Sequence, residues 1–338
     1  MVTGAVTGAV AAALAVAVVA GCSTDGPVST TSPATSATSA VPKRPASEVM
    51  PLVGTTVFAP AYRKLAVAAT ELETATTACD LKRSKAALRA SRLAYQTAYA
   101  AHSFSPMELR RLMISVDFWP NDPPRIEALL AGPDPVTVEA VSTLGARLRG
   151  LPGVEVVLYG AGPFPGRRCQ LATSQSTLIR QAAVTVADGW AALAPTLEGS
   201  STVVGAFVSS LVAAVGLVEG LQLGLPAGLR RGIPANTMNV RGRQALEDAA
   251  TTLAGVQTAI EVGLLPLVSD DLATRLRAAG TAGQAAVADL PGPLEKVIFT
   301  LAPGIDAAQE VIKVLEMLLI TEVVGSLGLT LSFPADGD

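Results

Sequence analysis

The residue with the most chemical potential in the 338-residue sequence is Glu155, which interrupts an otherwise apolar run from Leu151 to Leu158. A carboxylate that folds into apolar surroundings is costly unless it is paired, hydrogen-bonded or bound to a cation. In one reading Glu155 is a ligand in a pocket for a metal ion, a metal complex or a cationic group, with Asp117 as its companion. In the other it is structural, satisfied by an arginine or by backbone amides; this second reading is preferred. The rest of the inventory narrows the chemistry. With one histidine and three cysteines, a zinc site built from several imidazoles or thiolates is nearly excluded. A serine hydrolase would have to use His102, and no Gly-x-Ser-x-Gly elbow is present. His102 itself lies in a polar turn and reads as an exposed, incidental side chain. Trp119-Pro120 reads as a packed helix end in preference to a pocket wall. The acidic pair Asp336 and Asp338 reads as a frayed terminus. A net charge of −3 supplies no broad basic field, which argues against nucleic acid as a partner.

The elements that must position these groups are helices. From about residue 55 the apolar period is 3.6. Phe58, Tyr62, Leu65, Ala69 and Leu72 share one face, and Leu81, Leu88, Tyr95 and Tyr99 share the next. Val138, Val141, Leu144 and Leu148 form a face that stops at Gly150, and Leu171 to Leu197 form a long one containing Trp190. Further faces run Leu246 to Leu264, Leu272 to Ala279 and Ile305 to Leu319. Ser105-Pro106-Met107-Glu108 has the form of a capping box, and Asp122-Pro123 and Asp134-Pro135 have the form of helix starts. The one alternating, strand-like stretch is Leu329 to Phe333. Residues 201–218 carry no charge and are long enough to span a membrane. Glu219 and Leu225-Pro226 break the run, and its apolar stripe favours a buried core helix.

The N-terminus has a different composition. An uncharged apolar stretch, residues 5–20, leads into Val19-Ala20-Gly21-Cys22, small residues before a cysteine, which is the pattern of a lipoprotein signal. The expected order is a signal peptide at 1–21, a disordered Ser/Thr/Pro-rich tether at 22–47 and a helical body at 48–338. Lipid on Cys22 would attach the chain to a membrane at the cell envelope. No Lys or Arg precedes Cys22, which departs from the usual basic start of such signals. In an exported chain Cys79 and Cys169 are an even pair, and an oxidising compartment favours a disulfide between them; two separately buried thiols are the alternative.

Three stretches, taken in order, resemble one family. Asp117-Phe118-Trp119-Pro120 and Arg125-Ile126 lead to Gly150-Leu151-Pro152-Gly153-Val154-Glu155 and on to Tyr159-Gly160. Gly166-Arg167-Arg168-Cys169 opens the long helix with Trp190, and Thr321 to Phe333 forms the tail. Their order and spacing are similar to those of the imelysin family of exported bacterial proteins, over roughly residues 55–338. The resemblance implies an all-α fold of two packed, four-helix-bundle-like halves, about 48–199 and 200–338. It also implies a link to iron or haem acquisition, with iron-uptake membrane proteins as partners and iron, zinc or haem as the cofactor candidates. The stretch Asn236 to Arg243 resembles the family's second conserved loop, which makes Arg241 a candidate partner for Glu155. The family's founding activity is metallopeptidase, with a Gly-x-His-x-x-Glu signature. Here Gly150 and Glu155 match that signature, but Pro152 stands at the His position and offers no side-chain donor. The resemblance therefore supports a binding component with a degenerate motif ahead of a metallopeptidase, with a non-catalytic interaction lipoprotein as a further alternative.

Overall fold

The computed structural model describes residues 42–227, 238, 240–297 and 302–331, and among these every regular element is helical. Helix α1 (Ala46–Val53) passes through a π-helical turn, Gly54–Phe58, into α2 (Ala59–Thr77). A tight turn leads to α3 (Leu81–Ala98), whose N-terminus is capped by Asp80 accepting from the Arg83 amide at 2.9 Å. Four shorter helices follow: α4 (Met107–Val116), α5 (Pro123–Ala131), α6 (Val138–Ser142) and α7 (Gly150–Tyr159). Helix α8 (Arg167–Leu193) then runs back antiparallel along α2. The second half comprises α9 (Ser201–Gly216) with a π-helical continuation, Leu217–Gly224, then α10 (Leu225–Ala227), α11 (Ala245–Gly263) and α12 (Asp270–Ala288). It ends with α13 (Leu294–Val297), α14 (Ala302–Met317), a π-helical turn, Leu318–Val323, and α15 (Val324–Leu327). The expected signal peptide, Cys22, most of the expected tether, part of the stretch Asn236 to Arg243 and the terminal acidic pair lie outside the described residues.

The apolar stripes read from the sequence are the stripes that pack. Phe58, at the end of the π-helical turn, and Tyr62, Leu65, Ala69 and Leu72 on α2 are all buried, and Ile305, Ile312, Leu315 and Leu319 are buried at the other end of the chain. Trp190 forms the centre of an aromatic cluster, stacked on Tyr62 at 5.8 Å and edge-on to Phe58 at 5.2 Å, with Phe104 and Phe207 around them. Buried residues of both halves belong to one contiguous core. The uncharged 201–218 run lies within the single helical stretch, Ser201–Gly224, that is long and apolar enough to cross a membrane among the described residues. Its Val204, Phe207, Val208, Leu211 and Val215 are buried in the protein, and so are Ser209 and Ser210. A helix apolar all round and enclosed in this way is a core helix.

Local expectations fail where tertiary demands outrank them. Ser105 does not cap α4: its hydroxyl accepts from Trp190 Nε1 at 3.0 Å and donates to the Ala101 carbonyl at 2.8 Å. Satisfying the indole N–H deep in the core outweighs an end cap that water can replace. Asp122 does cap α5, accepting from the Arg125 amide at 3.2 Å. Asp134 does not start a helix; α6 begins later, capped by Thr137. The Val138–Leu148 face is split by a 3-10 turn at Ala146–Leu148, and Gly150 opens a helix instead of closing one. Leu329 to Leu331 form no strand; Gly328, at φ 61°, ends α15 in the left-handed conformation. Lys43, before α1, donates to the Leu265 and Val268 carbonyls and pairs with Asp270 at 2.8 Å. Cys79, in the turn between α2 and α3, is disulfide-bonded to Cys169 in the first turn of α8, with a Cα–Cα distance of 5.5 Å.

Candidate functional site: a buried charge cluster beside an aromatic cavity

Gly150 decides where α7 sits. Its φ is +80°, and a Cβ there would lie 2.6 Å from the Val116 carbonyl oxygen, so only glycine allows α7 to start against the end of α4. Pro152 occupies the first turn, where a missing N–H leaves nothing unsatisfied. Its carbonyl accepts from Asn121 Nδ2 at 3.1 Å. Every residue of α7 from Gly150 to Leu158 is buried, so Glu155 has no solvent-facing side to turn to.

Glu155 is instead satisfied from within. Its Oε1 accepts from the Gly242 amide at 2.6 Å, and its Oε2 lies 3.4 Å from Nη2 of Arg92. Arg92 is fully buried on α3, and its Nη1 is 3.6 Å from Oδ1 of Asp117. Asp117 caps the C-terminal end of α4. The two carboxylates that sequence reasoning paired are therefore in one cluster, held apart by a guanidinium. Burial pushes the Asp117 carboxyl above the usual carboxylate range; the Arg92 charge opposes this and the Glu155 charge adds to it. One cation thus stands between two carboxylates in this cluster.

Arg241 is half-buried, and its chain neighbour Gly242 supplies the backbone donor. The guanidinium that meets Glu155 belongs to Arg92, which sequence reasoning missed. A signal was present: Arg92 lies on the same helical stripe as Leu88, Tyr95 and Tyr99, where an exposed arginine would not be expected. Gly242 gave no comparable signal, since a backbone donor is invisible in residue type.

On the other side of Asp117 a cavity of about 420 Å³ opens between the halves. Tyr95, Gln96, Tyr99, His102 and Ser103 form one wall, and Arg110, Ile114, Asp117, Phe118 and Trp119 form the second. Leu217, Leu221 and Met238 form the third, the first two from the π-helical segment, a geometry frequent at functional sites. His102 is buried, not exposed, and packs edge-on to Tyr99 at 4.9 Å. Trp119 is a half-buried cavity wall in the non-helical stretch between α4 and α5, not a packed helix end. Burial, reinforced by the Asp117 charge, pushes the Tyr99 phenol up to about 12 and raises Tyr95 well above its ordinary value. Both rings therefore present neutral hydroxyls over the physiological range. Gln96 fastens the walls: its Oε1 accepts from Gln222 Nε2 at 3.2 Å and from Thr252 Oγ1 at 2.8 Å.

The motif does not fit a transition metal. Pro152 has no donor, Glu155 directs one oxygen at the Gly242 amide and the other at Arg92, and Asp117 Oδ1 faces the same guanidinium. Among the described residues no three His, Cys, Asp or Glu side chains converge on one point, whereas a catalytic zinc ordinarily takes three protein ligands.

Two solved structures share this architecture. An imelysin-like protein from Psychrobacter arcticum 273-4 superposes with a TM-score of 0.72 at 16% identity, covering 87% of this chain and 100% of the other. A protein described as an iron-regulated protein A precursor, from Parabacteroides distasonis ATCC 8503, superposes with a TM-score of 0.70 at 16% identity, covering 84% and 96%. No curated protein matches the chain. The family model described as Imelysin matches residues 58–321, which span the aromatic core, the charge cluster and the cavity. The chain belongs to the imelysin family.

Proposed function

We propose that this protein is an exported, lipid-anchored member of the imelysin family that binds a small planar molecule in the aromatic cavity, as a binding component of iron or haem acquisition. The observation that carries the reading is the division of labour at the site. The motif residues are consumed by Arg92 and Gly242, while the adjacent cavity presents Tyr95, Tyr99, Phe118 and Trp119 with a few polar groups among them. Small-molecule sites are of this kind: concave, about 300–1,000 Å³, mostly apolar and aromatic, with few polar groups. Stacking on aromatic faces favours a flat, conjugated ligand, and haem is such a cargo. The small residues before Cys22 and the polar stretch after it support export and lipid attachment. The fold is shared with a protein described as iron-regulated, which supports the link to iron.

Metallopeptidase is the second reading, favoured by the retained Gly150 and Glu155. A direct comparison separates the two. Titration of the purified full chain with haemin, ferric iron and zinc should give saturable binding of haemin that Trp119→Ala and Tyr99→Ala each weaken. Binding of none of the three would remove the acquisition reading. Chelator-sensitive proteolysis lost in Glu155→Ala would replace it with the enzymatic one.

A further inference from the structure

Glu155 does not line the cavity, yet it touches the segment that does. The Gly242 amide bound to Glu155 lies four residues after Met238, a wall residue that is itself 7% exposed. The fit at this point is close: a Cβ on Gly242 would lie 3.3 Å from Glu155 Oε1 and 3.2 Å from Gln244 Oε1. Behind Glu155, Arg92 fixes the other carboxylate oxygen, and Arg92 is fixed in turn against Asp117, which also lines the cavity. A line of polar contacts therefore links Asp117 in one cavity wall, through Arg92 and Glu155, to Gly242, four residues after Met238 in another wall. The first half contributes Arg92, Asp117 and Glu155; the second contributes Gly242 and Met238.

We infer that Glu155 is a positioning residue: it clamps the Gly242 amide, and so sets Met238 in the cavity wall and controls the cavity's affinity for its ligand without touching that ligand. The role needs an acceptor oxygen facing the Gly242 amide, with Asp117 available as the counter-charge of Arg92. It needs neither a metal nor a histidine at position 152, which makes Pro152 compatible with a working site. The inference rests on the binding reading above for its ligand, but the clamp itself is a property of the backbone and can be measured alone.

The test uses the full chain, with haemin as the probe and hydrogen exchange of the 238–243 peptide as the ligand-free readout. Glu155→Gln keeps an acceptor for the Gly242 amide, and its exchange and haemin affinity should stay within about threefold of the unaltered protein. Glu155→Leu removes the acceptor; exchange at 238–243 should rise about tenfold or more while far-ultraviolet helicity is kept, and haemin should bind about tenfold more weakly. Met238→Ala should weaken haemin without accelerating exchange at Gly242, which separates the wall from the clamp and does not depend on Glu155→Leu folding. Exchange in Glu155→Leu equal to that of the unaltered protein would overturn the clamp, and so would a loss of affinity in Glu155→Gln as large as in Glu155→Leu. If haemin fails to bind the unaltered protein while Glu155→Leu still accelerates exchange, the binding reading fails and the clamp stands.

Discussion

Nη2 of Arg92 lies 3.4 Å from Oε2 of Glu155, and neither side chain is more than 5% exposed. This ion pair places a protein cation against the glutamate of the family motif. Much of the protein's stability and pH behaviour around the site follows from it.

Removing one partner of a buried pair leaves the other charge without compensation, which costs about 3–5 kcal/mol, whereas neutralising all partners together is far milder. Arg92→Met should therefore destabilise the protein by about that amount in chemical denaturation. The triple variant Arg92→Met, Asp117→Asn, Glu155→Gln should recover most of the loss. A single substitution that costs under about 1 kcal/mol would mean that the cluster is not desolvated as its burial indicates.

Asp117 gives a pH signature of unusual sign. Its carboxyl titrates higher in the folded protein than in the unfolded chain, chiefly through burial. Between the unfolded value and the raised folded value the native state holds more protons, so stability falls as pH rises through that window. Below the window both states are protonated and the penalty is absent. Asp117→Asn should remove this component, so the stability of the variant relative to the unaltered protein should increase from about pH 4 upward. A difference that is flat with pH, or that slopes the other way, would contradict the assignment; denaturant midpoints across acid and neutral pH decide it.

The Cys79–Cys169 disulfide closes a loop with a sequence separation of 90. Restricting a loop of that length in the unfolded chain contributes about 4 kcal/mol in the chain-entropy description. The Cys79→Ser, Cys169→Ser protein should lose stability of that order while keeping its helicity, since α2 and α8 also pack along their length. Denaturant unfolding of the two forms under non-reducing conditions measures it.

The helical architecture was readable because its signal is local. Stripes such as Phe58–Tyr62–Leu65–Ala69–Leu72 fix both the element type and the buried face, and the pairing of two cysteines followed from their number and the expected compartment. The site was only half legible. Glu155 and Asp117 stood out as carboxylates in apolar surroundings, but what satisfies them lies 63 residues upstream of Glu155, on α3, and 87 downstream, at a backbone amide. Sequence separation of that size carries no periodic signal. Ser105 and His102 were misread for a related reason: each sits in a polar-looking turn that tertiary packing folds inward, Ser105 to serve Trp190 and His102 to pack against Tyr99. The cavity could not be seen at all, since its walls come from α3, the end of α4, the π-helical segment and Met238, and only the assembled helices bring them together.

Equilibrium dialysis of zinc against the unaltered protein, Glu155→Gln and Pro152→His tests the central claim most directly. With both Glu155 oxygens engaged by Arg92 and Gly242, none of the three proteins should bind zinc saturably at micromolar concentration, including the one whose motif histidine has been restored. Tight zinc binding by the unaltered protein that disappears in Glu155→Gln would show that the motif is a metal centre, and would contradict this account.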